Sequence, residues 1–383
     1  MKKKAVRQKE EKKKVKRLGH SDMDGWGDTM QIWVQGKIAY VGASGDGGHE
    51  GTTILDVANL KNLKVISRIP APRNTHSHKV RVRDDIMVVN NEMLRGSDGS
   101  GFVPGVRVYN VSDPKNPRLI TTFRTGGRGV HRFNWDMERD ILYLPTGDEG
   151  FRNRILWIVD FKDPAKPRLI SKWWLPGQWE AGGEVSQEKA GESFRCHGAP
   201  KIHKNHMYIG YWDAGLVVLD VKDIAHPKLK AHFDWSPPYV GNTHSAVPLQ
   251  GRDFLIVTDE TTVDDCIKPP TFMWIMNIEA PDHPIPISTY QVPTDGFCKR
   301  GGRFGAHNIH EDINDIVYVT WFNAGLRIVN VSNPYCPREV GYYIPDVKGK
   351  PASQSNEVFV DKRGLIYLGD RLAGGMDILE YTG

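Results

Sequence analysis

The sequence predicts an all-β fold, a seven-bladed β-propeller closed on itself by an N-terminal strand. Three observations predict it. A short apolar strand ending in Asp, Asn or Glu recurs seven times, a second apolar strand precedes every copy, and 39 Gly and 24 Pro are scattered along the chain rather than clustered. Such scattering marks many tight turns between short strands.

The recurring strand reads ILDV at 54–57, VYNV at 108–111, IVDF at 158–161 and VLDV at 218–221, then IMNI at 275–278, IVNV at 328–331 and ILEY at 378–381. Its polar position falls at Asp56, Asn110, Asp160, Asp220, Asn277, Asn330 and Glu380, a period of 50–60 residues. Most copies run on into a turn, a proline and an amphipathic strand, as in SDPKNPRLITTF and KDPAKPRLISKW. The proline fixes the turn, and β-branched and aromatic residues favour the strand. The preceding strands are IAYVG (38–42), IMVVN (86–90), ILYLP (141–145), MYIGY (207–211), FLIVT (254–258), IVYVT (316–320) and LIYLG (365–369). A further strand, rich in His at its start, comes before each of these. Four short antiparallel strands per repeat make one propeller blade. A solenoid is the alternative, but neither end resembles a capping repeat.

Ring closure is also readable. The chain ends at Gly383, directly after the third strand of the last repeat, while VKRLGH at 15–20 has the composition of a fourth strand such as PRLISK or PREVGY. The N-terminus is therefore expected to complete the last blade, which removes the open sheet edges. The expected organisation is a basic disordered tail over 1–14 and a single propeller domain over 15–383.

Composition narrows the function. With 39% apolar, 25% charged and 10% aromatic residues the 383-residue chain can bury a substantial core. Its net charge of +5 is local, because residues 2–17 hold ten Lys/Arg against two Glu and the remainder is close to −3. A nucleic-acid-binding face is not indicated. No apolar run approaches the ~18 residues of a membrane span, and no secretory h-region follows the basic start. The four cysteines lack any CxxC spacing, so a reducing, cytoplasmic location is expected, without a cysteine-built metal site. A homo-oligomer is compatible with all of this.

The repeated strands, together with HSDMDGWGD, GVHRF, YWDAGL, RFGAHNIHED, FNAGLRIVNVSNPYCPRE and GLIYLGDR, resemble the LVIVD-repeat β-propeller family from about Gly19 onward. The resemblance implies the propeller fold and carries no single activity with it.

Chemistry enters through the histidines. His76, His131, His197 and His244 each lie ten residues before the start of the following strand, and His307 lies nine before. Asp28 and Asn356 hold the equivalent position in the other two blades. Innermost strands line a propeller's channel, so five imidazoles should converge near one mouth. Buried together without a cation or water they would be poorly compensated. Imidazole without thiolate suits iron, zinc or manganese, and one divalent transition metal ion is expected on His131, His197, His244 and His307. The loops after the second strands carry Glu92, Glu149, Asp213, Glu260, Asn323 and Asp370. Of these, Glu149, Glu260 and Asp213, with the remaining ring member His76, are the expected acid/base groups; Asp213 and Asn323, each followed by Ala-Gly, also suit a tight turn. Arg73, Arg132, Arg195 and Arg303 stand close to the histidines in sequence and point to an anionic small-molecule substrate, since guanidinium binds carboxylate bidentately. Two insertions, 176–195 and 261–271, are expected at the same mouth, the first as a lid bearing Trp179.

Nucleophile-elbow, phosphate-loop, dinucleotide and HExxH motifs are absent from the sequence. The expected function is a metal-dependent enzyme performing redox-neutral chemistry (hydrolysis, hydration or carbon–carbon lysis) on a small carboxylated or aromatic compound. Two alternatives stand beside it. One is a non-heme iron oxygenase similar in kind to the four-histidine propeller oxygenases, the other a non-catalytic binding propeller.

Overall fold

Six of the seven polar residues that end the recurring strands turn the chain. Asp56, Asn110, Asp160, Asp220, Asn277 and Asn330 each accept, through Oδ1, the backbone N–H two residues on, at 2.8–3.1 Å. That Asx turn is why Asp and Asn recur there.

In the computed structural model, which describes residues 9–383 except 44, 46–48, 348 and 373 and except the side chains of Glu311 and Asp312, the strands form six antiparallel sheets, one of ten strands that unites two blades through the Gly129↔Glu92 pair, and seven blades can be traced in them. Blades one to six occupy residues 29–70, 75–124, 126–173, 201–233, 243–290 and 309–344 in turn. Blade seven takes three strands from 355–381 and its fourth from Val15–Ser21. That strand pairs with Gly375–Tyr381 in the register Val15↔Tyr381 to Ser21↔Met376. The closure expected from VKRLGH is present. In every blade the pairing of third and fourth strands carries a bulge, as between Ile158 and Val159 or between Val218 and Leu219. A bulge bends the outer strand and increases local twist.

The core is divided rather than central. Seven apolar clusters each lie between two neighbouring blades. Tyr143, Ile158, Met207 and Val217 join blades three and four, and Ile32, Leu55, Tyr367 and Ile378 join blades one and seven. The ring therefore closes by apolar burial, the main favourable force in folding.

Two expectations need correction. Residues 11–13 are not part of a disordered tail. Glu11–Lys13 pairs with Tyr342–Ile344 as a fifth strand on blade six, and Glu11 bonds Arg300 at 3.0 Å. The segment is too charged to show apolar alternation, so only backbone pairing places it. Residues 1–8 of the expected tail lie outside the described residues. The cysteines are not all free thiols either, since Cys266 and Cys298 form a disulfide. The insertion carrying Cys266 folds onto the loop before blade six, where Asp265 N–H donates to Gly302 O at 3.0 Å. Among the described residues no helix is long and apolar enough to cross a membrane.

Candidate functional site

The equal spacing from each His to its following strand does bring the imidazoles together. They form a continuous row, with ring centroids 4.8 Å apart for His131–His197, 5.0 Å for His197–His244 and 4.3 Å for His244–His307. His76 joins through His78, stacked on it at 3.9 Å and 5.2 Å from His131. His78 was not expected in the row; its side chain enters because the strand is interrupted at Ser77–Lys79 between two short pieces. Close approach of blades four and five needs glycine, since a Cβ at Gly198 would lie 2.8 Å from His244 O.

The row floors a cavity of about 1510 Å³. Burial, reinforced by neighbouring cationic groups, holds His78, His197, His244 and His307 well below the usual imidazole range. Burial also holds His131 down at about 3, against the pull of Glu92. These imidazoles are neutral, which is the form that ligates metal.

Their outward partners differ, and the partner sets the tautomer. Nδ1 of His76 faces Glu50 at 2.8 Å, Nδ1 of His131 faces Glu92 at 2.6 Å, and Nδ1 of His307 faces the Asn356 carbonyl at 2.9 Å. Acceptors there place the proton on Nδ1 and leave the Nε2 lone pair free. His197 is the reverse. Arg154 Nη2 donates to its Nδ1 at 3.0 Å, so the proton sits on Nε2, which is buried without a hydrogen-bond partner. In His244, Arg132 Nη1 donates to Nε2 and Ser245 Oγ lies 2.9 Å from Nδ1.

Glu260 sits among three of these rings. Its carboxylate oxygens lie 4.0 Å from Nε2 of His197, 3.8 Å from that of His244 and 3.7 Å from that of His307. Neutral nitrogens, one carboxylate and an orphaned buried Nε2 fit a divalent transition ion. Its entry has to displace Arg132 from His244 and turn Arg154 away from His197. His76, His78 and Glu92 form a second group that fits less well. Both Glu92 oxygens already serve His131 and Arg154, whereas only Oε1 of Glu260 is committed, to Arg303. Burial opposes the Glu92 charge, but those two partners hold it down at about 2.

Other expected residues divide. Arg132 is buried, bound to His244 and Asn308, and separates this cavity from one of about 450 Å³ that it also lines. Arg303 pairs with Glu260 at 2.8 Å. Arg195 and Asp213 line the cavity, although the Asp213 carboxylate accepts the Ser193 N–H at 2.8 Å and so anchors the 176–195 insertion. Asn323 is a turn residue that donates to Phe297 O and Gly301 O. Three placements are corrected. Arg73 and Glu149 are exposed and outside the cavity. Trp179 packs on Trp174 and Phe151 and stays 42% exposed; it is residues 190–193 of the same insertion that reach the cavity. From the second insertion, Thr262, Asp264 and Lys268 reach it. Sequence reasoning missed Arg154, Glu50 and Trp212, the last with its ring 4.3 Å from that of His197 and tilted by 43°. The arginine was legible only in hindsight, as the polar residue opening the ILWIVD strand.

A family model for the LVIVD repeat matches residues 26–69, 201–234 and 314–344. No curated protein matches the sequence. Among solved structures, the Saccharomyces cerevisiae Sqt1 structure shares 8% identity at a TM-score of 0.58, covering 96% of this chain and 99% of that one. A mitotic checkpoint complex structure shares 12% at 0.59, over 98% and 94%. The computationally designed Ika8 protein shares 9% at 0.54, over 94% and 98%. At such identities the likeness concerns fold alone. The ring of blades makes this chain a β-propeller, and three stretches of it match the LVIVD repeat.

Proposed function

We propose that the protein is a metal-dependent enzyme acting on a small anionic compound by redox-neutral chemistry. The observation that carries the reading is the Glu260 carboxylate within 4.0 Å of Nε2 of His197, His244 and His307 on the floor of a large cavity. Those four residues would hold one divalent ion, Fe, Zn or Mn, which when bound supplies Lewis acidity or an activated water. Glu260 thereby becomes a ligand rather than a base. His76 is the better base: its Nε2 lone pair is free, Glu50 orients the ring through Nδ1, and it is less buried than the ligand histidines His197, His244 and His307. A carboxylate behind an imidazole holds the tautomer and supports the imidazolium formed on proton uptake. Nine Lys/Arg against six Asp/Glu line the cavity, which favours an anion inside it.

The test is elemental analysis of protein purified without chelators, beside oxygen uptake during turnover of candidate carboxylates. One transition ion per chain, lost in Glu260→Ala and His307→Ala, with no oxygen consumed, is the expected result. Metal retained in both variants, or none in the wild type, overturns the site. Oxygen uptake coupled to turnover moves the protein to the oxygenase class.

A further inference from the structure

Blades two, three and five carry an acid at one repeat position: IMVVNNE ends at Glu92, ILYLPTGDE at Glu149 and FLIVTDE at Glu260. The register is confirmed by the residue before it in two of them. Asp148 accepts the Trp157 indole N–H and Asp259 that of Trp274, each at 3.1 Å and each from the next strand of its own blade. Glu92 reaches forward to Arg154 of blade three at 3.3 Å, and Glu260 to Arg303, just ahead of blade six, at 2.8 Å. Glu149 should reach Arg195, just ahead of blade four, in the same way. It does not, because two extra residues in ILYLPTGDE carry it out into solvent.

What it leaves behind is a built receptor. Blades four and six hold the same sandwich of imidazole, aromatic ring and guanidinium. His197 and Trp212 are 4.3 Å apart with Arg195 4.4 Å over the indole, while His307 and Phe322 are 4.7 Å apart with Arg303 5.6 Å over the phenyl ring. Trp212 and Phe322 adopt φ of 51° and 40°, left-handed values that are strained for bulky residues and tend to occur at functional positions. In blade six the sandwich ends on a carboxylate, Glu260. In blade four no carboxylate pairs with Arg195 among the described residues. Its Nη1 donates only to Ser193 Oγ at 3.2 Å, and its buried Nε has no partner.

We propose that Arg195 is the docking residue for the substrate's carboxylate, which takes the place that Glu260 fills at Arg303. The proposal rests on the enzyme reading above and names its substrate class: a small carboxylic acid whose carboxylate lies over Trp212 and whose remainder faces the histidine row. Ser193 and the backbone it anchors to Asp213 hold the guanidinium in position.

The experiment is calorimetric titration of sodium benzoate and of benzamide into the full chain with a chelator present, so that its outcome is independent of metal content. Wild type should bind benzoate at least tenfold more tightly than benzamide. Arg195→Gln should weaken benzoate by about tenfold to a hundredfold, the loss of a charge-assisted hydrogen bond, and leave benzamide unchanged. Ser193→Asp supplies the missing carboxylate internally and should weaken benzoate as much without moving the unfolding midpoint. Equal binding of acid and amide, benzoate binding that survives both substitutions, or no benzoate binding by the wild type overturns the proposal. Failure of the metal reading would appear in elemental analysis alone and leave this result intact.

Discussion

The seams between blades and the row of histidines are both buried, yet they satisfy opposite physical demands. The seams are apolar, closed in all seven copies, and tied off outside by repeated Asx turns. The row is polar, differs from blade to blade, and leaves His78 Nε2, His197 Nε2 and Arg195 Nε without partners. A buried donor without an acceptor costs roughly 1–3 kcal/mol. The difference teaches that the repeats supply stability and that the channel consumes part of it. Such a division is expected where a site must meet a ligand. Changes at the seams should therefore lower stability and spare binding, and changes in the row should do the reverse.

The largest effect should come from opening the ring. Deleting residues 1–21 removes the strand paired with Gly375–Tyr381 and exposes the pocket that buries Val15. A loss of about 5 kcal/mol or more is expected from seven residues of sheet pairing and the buried valine, seen as a fall of several degrees in Tm by calorimetry. Deleting only 1–13 removes a three-residue edge strand and should cost about 1 kcal/mol. Equal losses would show that the closing strand is not at the seam.

A smaller stability effect, of opposite sign, separates the row from the seams. His197→Leu removes the orphaned Nε2–H, while Arg154 keeps Glu92 and the Cys196 carbonyl as partners. The Tm should stay level or rise, with bound metal reduced at least tenfold. A Tm loss comparable to ring opening would make His197 a scaffold residue and erase the contrast.

Arg132→Met sharpens the same point from the cationic side. The change frees His244 Nε2 and removes a positive charge beside the ion, so metal affinity should rise about tenfold. Unchanged or weaker affinity in a competition titration against a chromogenic chelator would show that the guanidinium does not compete for the site.

How much of this was legible follows from what the sequence repeats. The blade count and the closing strand could be read because ILDV, IVDF and VLDV share a period and VKRLGH shares a composition with PRLISK. The histidine row could be read because register along a strand converts directly into position in the channel. Glu149 was misplaced by counting the acid without counting the two-residue extension before it. Trp179 was misplaced because its covering partners, Phe151 and Trp174, do not line the cavity. The Cys266–Cys298 bond spans 32 residues and depends on how two loops fold together, for which no periodicity exists. The tautomers of His197 and His307 depend on Arg154 and on a backbone carbonyl, neither of which the spacing announces.

The smallest effects distinguish the two regions by how they combine. Asp56, Asp160 and Asp220 each hold one Asx turn, at the far ends of three separate blades. Replacing any one by Ala should cost about 1 kcal/mol, the worth of one ordinary hydrogen bond. Because these sites share no partner, the triple variant should lose the sum within about 0.5 kcal/mol. His131 and His197 stand 4.8 Å apart and both lean on Arg154, His131 through Glu92. Replacing both by Leu leaves Glu92 with Arg154, and Arg154 with Glu92 and the Cys196 carbonyl, so the double variant should depart from the sum of the singles by more than the turn variants do. Denaturant unfolding of the two series measures this. Additivity in the histidine pair to the same tolerance as in the aspartates would mean that the row consists of independent side chains, and the account of shared guanidinium partners would fall with it.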